Sequence, residues 1–240
     1  MKDKAYYEDV NIKNELKKIN IDITEEQLSK LDIYYNLLIT ENEKYNLTNI
    51  TEKESVYLKH FYDSLTLNRI IDLKNIDTLC DIGTGAGFPG MVIKIVFPKI
   101  KVTLVDSLNK RINFLKMVSE KLNLNDITIV HERAEEFSIK NKEKYDVVTA
   151  RAVAHLSNLL EYSIQSVKVD GYFIAMKAQA TEELNESKNA INLLSCSLDE
   201  CIEFNLPIEE SKRTLIKIKK DNKTNNKYPR KYSEIKKKRL

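Results

Sequence analysis

The stretch LCDIGTGAGFPGM, Leu79 to Met91, decides how the rest of the chain is read. The chain holds only five glycines, and four of them (Gly83, Gly85, Gly87 and Gly90) fall within eight residues here, directly after an apolar run. Glycine tolerates positive φ and lets the backbone approach a partner closely, so glycines clustered after a strand mark a ligand-binding turn. The spacing separates the possible ligands. A dinucleotide fingerprint, G-x-G-x-x-G, begun at Gly83 and Gly85 requires glycine at position 88, and the residue there is Phe88. A phosphate loop would continue with Gly-Lys-Ser/Thr, which does not follow. The pattern present is D-x-G-x-G-x-G, on Asp81, Gly83, Gly85 and Gly87.

Outward from the loop, short apolar runs alternate with helical patterns. DTLCDIG, KVTLVD, ITIVHE, YDVVTARA and YFIAMKA read as strands, with Gly171 marking the turn into the last. Helical stretches lie between them: FPGMVIKIVF ended by Pro98, SLNKRINFLKMVSEKLNL with Leu108, Ile112, Leu115, Val118 and Leu122 on one face, and LSNLLEYSIQSVK. Strands alternating with helices imply βαβ units, so the expected fold is α/β with a mainly parallel sheet covered on both faces. After a helix at TEELNESKNAINLL, LDECIEFNL and TLIKIKK are expected as an antiparallel pair at one edge. Before the sheet come two helical signals, each with a capping box: Thr24 with Gln27 and Thr51 with Glu54. The expected organisation is a small N-terminal helical layer over residues 1–70, a main domain over 71–222 and a basic tail over 223–240. The final residues, YPRKYSEIKKKRL, show no core pattern.

Composition narrows the class. At 240 residues the chain is long enough to bury a core, and 31 % of it is charged. No apolar run reaches the ~20 residues that span a bilayer, and MKDKAYYEDV has no signal-like apolar stretch. Cys80, Cys196 and Cys201 lack the paired spacing of zinc sites, and all three read as buried small apolar residues. A cytoplasmic protein with reduced thiols and no metal is expected. The net charge of +3 hides an asymmetry: residues 211–240 carry thirteen basic and two acidic residues, leaving 26 basic and 34 acidic in the rest. An acidic body with a basic end suggests a polyanionic partner, and a solvated terminus would look the same.

The glycine pattern resembles that of S-adenosylmethionine (SAM) methyltransferases with a Rossmann-like sheet, the class I architecture, whose cofactor has no phosphate to cradle. Asp106 ends the second strand nineteen residues after Gly87, where a carboxylate can accept from the ribose hydroxyls, as the equivalent acid does for NAD. Ala134 and Glu135 follow the third strand, the place of adenine contacts in such enzymes. The competing reading makes the glycines a tight turn, Asp106 a helix cap and Glu135 surface.

Further blocks narrow the resemblance. YNLTNI (Tyr45–Ile50), HFYDSL (His60–Leu65), DIGTGAGFPG, VDSLNKRINFL, ERAEEF, VTARAVAHL, FIAMKA and YPRK are similar to segments of the bacterial small-subunit ribosomal RNA guanine-N7 methyltransferases, the glucose-inhibited division protein B family, over residues 20–232. That resemblance implies SAM contacts at Gly83, Phe88, Ala134, Glu135 and Arg151, which join Gly85 and Asp106 as the expected cofactor site. A salt bridge to a helix acid is the alternative for Arg151. The product would be S-adenosylhomocysteine, and the partner 16S rRNA or a small-subunit particle met by a monomer. Enzymes that methylate exocyclic amines place Asn/Asp-Pro-Pro-aromatic after the fourth strand; here that place holds ARAVA. Guanine N7 already has an in-plane lone pair, so no general base is expected and no catalytic residue is assigned. His60 and His155 read as structural histidines. Lys110, Arg111, Arg230 and Lys231 are the expected RNA contacts, and the helices bearing Asn46 and His60 are expected to cover the cofactor mouth. Two other functions stay open from the sequence: a SAM methyltransferase with another RNA, protein or small-molecule target, and a non-catalytic ribosome-assembly factor.

Overall fold

A computed structural model describes residues 12–151 and 154–240 of the protein. Residues 1–11 of the expected helical layer, and Ala152 and Val153 of the ARAVA stretch, lie outside the described residues.

Seven strands form one sheet: β1 (Thr78–Ile82), β2 (Lys101–Asp106), β3 (Ile127–His131), β4 (Tyr145–Arg151), β5 (Val167–Lys177), β6 (Cys196–Asn205) and β7 (Lys212–Lys220). Their order is β3-β2-β1-β4-β5-β7-β6. β1 to β5 are parallel, and β7 lies antiparallel between β5 and β6. The fold is therefore α/β with an antiparallel edge. Strand order reverses between β1 and β4, and the carboxyl edge of an open parallel sheet at such a point is where ligands bind.

Period-two alternation sorts the strand residues between two cores. Leu79, Val102, Leu104, Val147 and Ile174 face one cluster, while Cys80, Ile82, Val148, Ala150 and Phe173 face the other. The first cluster is shared with the N-terminal helices, α1 (Ile12–Lys17), α2 (Glu25–Tyr45), α3 (Lys53–Val56) and α4 (Asp63–Leu65). It also takes in α5 (Gly90–Val96) and α6 (Asn109–Lys121). The second face carries α7 (Ala134–Lys140), α8 (Leu156–Ser163), α9 (Thr181–Glu186) and α10 (Lys188–Leu193). α2 begins at the expected Thr24 box, with Thr24 and Gln27 each bonding the other's backbone. The second expected box is absent: Glu52 stands at the cap of α3 with no side-chain bond. Between α3 and α4, Tyr57–Tyr62 is wound as a π-helix, a rare form concentrated at functional sites.

Four further sequence expectations are corrected. Gly171 lies inside β5 rather than at a turn, where a Cβ would stand 2.8 Å from the Asp146 carbonyl oxygen. The polar stretch after β3 contains α7, whose seven residues are too few to display a period. Cys80 and Cys196 are buried, but Cys201 is exposed on the outermost strand. The end of the chain is docked rather than patternless: Tyr228 and Ile235 are buried, and α11 (Tyr232–Lys237) lies against the domain.

Candidate active site

The glycine turn divides its labour. Gly83 leaves β1 with φ 68° and donates to the Val105 carbonyl at 2.8 Å. Gly85 has φ 62°, and a Cβ added there would meet nothing within 4 Å, so this bare backbone fronts open space. Gly87 faces the other way: a Cβ would sit 2.5 Å from the Tyr34 hydroxyl, which donates to the Ala86 carbonyl. Gly90 lets α5 cross close over β1 and β2, since its Cβ would strike Leu104 and Asp81. That packing role, which the dinucleotide pattern places at 88, is filled two residues later. Asp81, buried beneath the start of α5, takes its first N–H. Its Oδ2 accepts from the Gly90 N–H at 2.8 Å and from Thr84 Oγ1 at 2.6 Å. Burial pushes the Asp81 carboxyl up to about 6, against those two bonds.

Above the turn lies a cleft of about 520 Å³ at the carboxyl edge of β1, β2 and β4. Asp106 ends β2 in its floor. Oδ2 accepts from Gly85 N–H at 2.9 Å and Arg111 Nη1 at 3.1 Å, and Oδ1 accepts from Leu108 N–H at 2.9 Å. A carboxylate has about four lone-pair sites, so one is left for a ligand hydroxyl rather than two. Among the described residues, the neighbouring Arg111 Nε is buried with no hydrogen-bond partner. Ala134 and Glu135 open α7 at the far end, where Glu135 Oε1 accepts from Arg133 Nε at 2.6 Å.

The near wall is aromatic and cationic. Phe88 stacks on His60 with ring centroids 4.3 Å apart and 13° between planes, and the Arg151 guanidinium lies 5.2 Å from the Phe88 centroid. Arg151 donates from Nη1 to Asp63 Oδ2 at 3.1 Å and to the Lys59 carbonyl at 3.2 Å, and its Nη2 lies 3.3 Å from His60 Nδ1. Arg151 thus lines the cleft and also makes the salt bridge to a helix acid. The π-helix presents both the Lys59 carbonyl and the His60 ring to it. Thr48 Oγ1 lies 2.9 Å from His60 Nε2. Burial first, then the Arg151 charge, pushes His60 down to about 3, so the ring is neutral near pH 7.

A family model, GidB, described as rRNA small subunit methyltransferase G, matches residues 27–216. The chain belongs to this family. It is 51 % identical over 214 residues to the ribosomal RNA small subunit methyltransferase G of Bacillus subtilis (strain 168), covering 88 % of this chain and 90 % of that one. To the protein of the same name from Lysinibacillus sphaericus (strain C3-41) it is 51 % identical over 219 residues, 90 % of this chain and 92 % of that one. Among solved structures it resembles the mitomycin 7-O-methyltransferase MmcR, with TM-score 0.56 and 15 % identity over 78 % of this chain and 60 % of that one. A SAM-dependent O-methyltransferase from Thermotoga maritima gives TM-score 0.52 at 18 % identity, covering 78 % and 73 %. At those identities the likeness concerns the fold alone, and that fold is the class I methyltransferase fold.

Within this member of the methyltransferase G family, the seven residues expected for the cofactor sit together: Gly83, Gly85, Phe88, Asp106, Ala134, Glu135 and Arg151 all line the cleft. Leu47, Thr48 and His60 bring the N-terminal layer to the same rim, next to Asn46. His155 lies elsewhere, capping α8 and bonding Ser157 and Glu186. The expected RNA cations are dispersed. Lys110 is exposed but donates to the Tyr45 carbonyl at 2.6 Å, and Arg111 turns inward to Asp106. Arg230 is a clamp on the buried Glu161, and of this group Lys110 and Lys231 are exposed with no side-chain ion pair among the contacts described. Two residues escaped the sequence reading: Tyr162 and Tyr232 line the cleft. No local signal marks them, because the clamp that sets Tyr232 there joins residues 69 apart.

Much of the basic end is spent inside the fold. Arg213 pairs with Asp63, Lys217 with Asp199 and Glu200, and Lys219 with Asp170. Lys220 is fully buried on the carbonyls of Ile164 and Val167. Among the described residues no group of three or more His, Cys, Asp or Glu could hold a metal ion, and no helix is long and apolar enough to cross a membrane.

Proposed function

We propose that the protein transfers the methyl group of S-adenosylmethionine to N7 of a guanine in 16S ribosomal RNA, releasing S-adenosylhomocysteine. The observation that carries this reading is the cleft of a methyltransferase G family member whose glycine turn is open at Gly85 while the first N–H of the following helix is taken by Asp81. Such a site suits a nucleoside ligand with no pyrophosphate. The donor set also fits: one lone pair of Asp106 for a hydroxyl and Glu135 for an adenine amine.

When bound, the cofactor supplies a methyl group made electrophilic by its sulfonium. The residues that hold it are Gly83, Gly85, Phe88, Asp106, Ala134, Glu135 and Arg151. N7 of guanine brings its own lone pair and loses no proton, so the chain supplies position rather than a base. His60 accords with this role: neutral and stacked on Phe88, it shapes the wall and takes no proton.

The reading extends to the whole chain. Within the 1–70 extension the helices bearing Asn46 and His60 cover the cofactor mouth and shape the RNA site, 71–222 form the SAM-binding domain, and 223–240 add basic charge. The partner is 16S rRNA or a small-subunit particle, the protein works as a monomer, and it acts in the cytoplasm. No observation favours another substrate or a non-catalytic assembly role. The test is transfer of tritiated methyl from SAM by the purified protein to small-subunit RNA from cells lacking it. Label recovered as N7-methylguanosine supports the reading; no label, or label on another atom, contradicts it.

A further inference from the structure

We propose that the C-terminal segment closes the cofactor cleft at its adenine end, with Tyr232 as a cofactor-binding residue. This rests on the reading that the cleft takes SAM.

The segment is fixed in place. Arg230 donates to Glu161 three times, from its backbone N–H at 2.9 Å, from Nε at 2.7 Å and from Nη2 at 2.7 Å. Glu161 is fully buried, and Tyr228 and Ile235 on either side of the clamp are buried as well. A bidentate pair held this way fixes direction as well as position. Two residues beyond the clamp, Tyr232 lines the cleft together with Arg133, Ala134, Glu135 and Tyr162. Arg133, Ala134 and Glu135 follow the end of β3, the end assigned to adenine, and Tyr162 reaches it from α8.

Tyr232 is also tied to its neighbours. The Arg133 guanidinium sits 3.9 Å from its ring centroid, and the Tyr162 ring stacks on it at 6.3 Å. Arg133 in turn donates to Glu135 Oε1 at 2.6 Å. Tyr232 therefore bounds the space for the base and holds the arginine that orients the acceptor for the adenine amine. Tyr232 is 41 % exposed, and a bound base would cover part of it.

The test uses titration calorimetry on the full chain, with S-adenosylhomocysteine and with 5′-methylthioadenosine, which keeps the adenosine and lacks the amino-acid end. Tyr232→Ala should weaken both by about threefold to tenfold, the range of one aromatic contact, and Tyr232→Phe by less than about twofold. A purely structural role would lower the melting temperature without this matched loss. The chain has no tryptophan, so Tyr232→Trp introduces a single reporter. Its emission should change on adding S-adenosylhomocysteine and saturate at the calorimetric Kd, an arm that stands even if the alanine variant fails to fold. Unchanged affinity in Tyr232→Ala, or emission indifferent to ligand, overturns the inference while wild-type binding leaves the methyl-donor reading intact. A wild-type chain that binds neither compound overturns that reading and this inference together.

Discussion

Arg151, at the end of β4, donates to Asp63 Oδ2 at 3.1 Å and so ties the ligand edge of the sheet to the N-terminal helices. The same carboxylate accepts from Arg213 Nε at 3.0 Å, and all three side chains are largely buried. Removing one member of a buried charge network strands the others. Asp63→Ala is therefore expected to cost about 3 kcal/mol in urea unfolding. It should also weaken SAM binding, because Arg151 loses the bond that aims it along Phe88. A variant as stable as the wild type would show that solvent already satisfies the two arginines.

Gly85 and Gly87 should separate binding from folding. Both have positive φ, so alanine is strained at either. At Gly85 the new methyl enters open space, costing about 1–2 kcal/mol of backbone strain and occupying ligand volume. At Gly87 it would lie 2.5 Å from the Tyr34 hydroxyl and 2.8 Å from Met91 Cβ, adding overpacking of about 1–3 kcal/mol. Calorimetry and urea unfolding on the pair should show Gly85→Ala losing chiefly affinity and Gly87→Ala chiefly stability. The reverse order would mean that the ligand lies on the Tyr34 side of the turn.

Two buried groups pull stability in opposite directions with pH. His60 falls from 6.5 to about 3 on folding, so its contribution is present above pH 6.5 and lost as pH falls toward 3. Asp81 rises from 3.8 to about 6, so its contribution is present below pH 3.8 and lost as pH rises through 6. Between pH 4 and 6 the two trends offset each other. His60→Gln removes the first, and its stability should fall with rising pH across that window more steeply than the wild type's. The bound is about 1.4 kcal/mol per pH unit for each group. Parallel curves from urea unfolding between pH 4 and 7 would rule out a buried neutral His60.

Arg230 and Lys231 are neighbours with different work to do. Arg230→Ala uncouples the C-terminal segment from Glu161 and leaves a buried carboxylate unpaired, at a cost of about 3 kcal/mol. Lys231 is exposed, so Lys231→Ala should change stability by less than about 0.5 kcal/mol. If Lys231 meets phosphate, its loss lowers the slope of log affinity for RNA against log salt by about one. Equal stability of the two variants would return Arg230 to the surface.

The fold was legible because the strands are short apolar runs whose alternation survives in the text of the chain, as at Leu79 and Cys80. The glycine turn was legible because few backbones need three positive-φ glycines in five residues. What stayed hidden depends on distance along the chain. Nothing near Arg230 says that its partner is Glu161, 69 residues back, whereas Asp106 stands only five residues before Arg111 and reads as a ligand acid rather than as its partner. A cation reads the same in either setting until the fold supplies the acid. Tyr228 and Ile235 are seven apart across a proline and a clamp, too sparse to form a period. The π-helix at Tyr57–Tyr62 hides for the opposite reason, since its apolar spacing passes for an ordinary helix.

The methylated atom can be read directly in the RNA. Reduction followed by aniline scission cuts RNA at N7-methylguanosine. Small-subunit rRNA from cells lacking this protein should lose one cut that the parent RNA shows, and the purified protein with SAM should restore it. If every parental cut persists in the deletion strain, the protein does not methylate guanine N7 in that RNA.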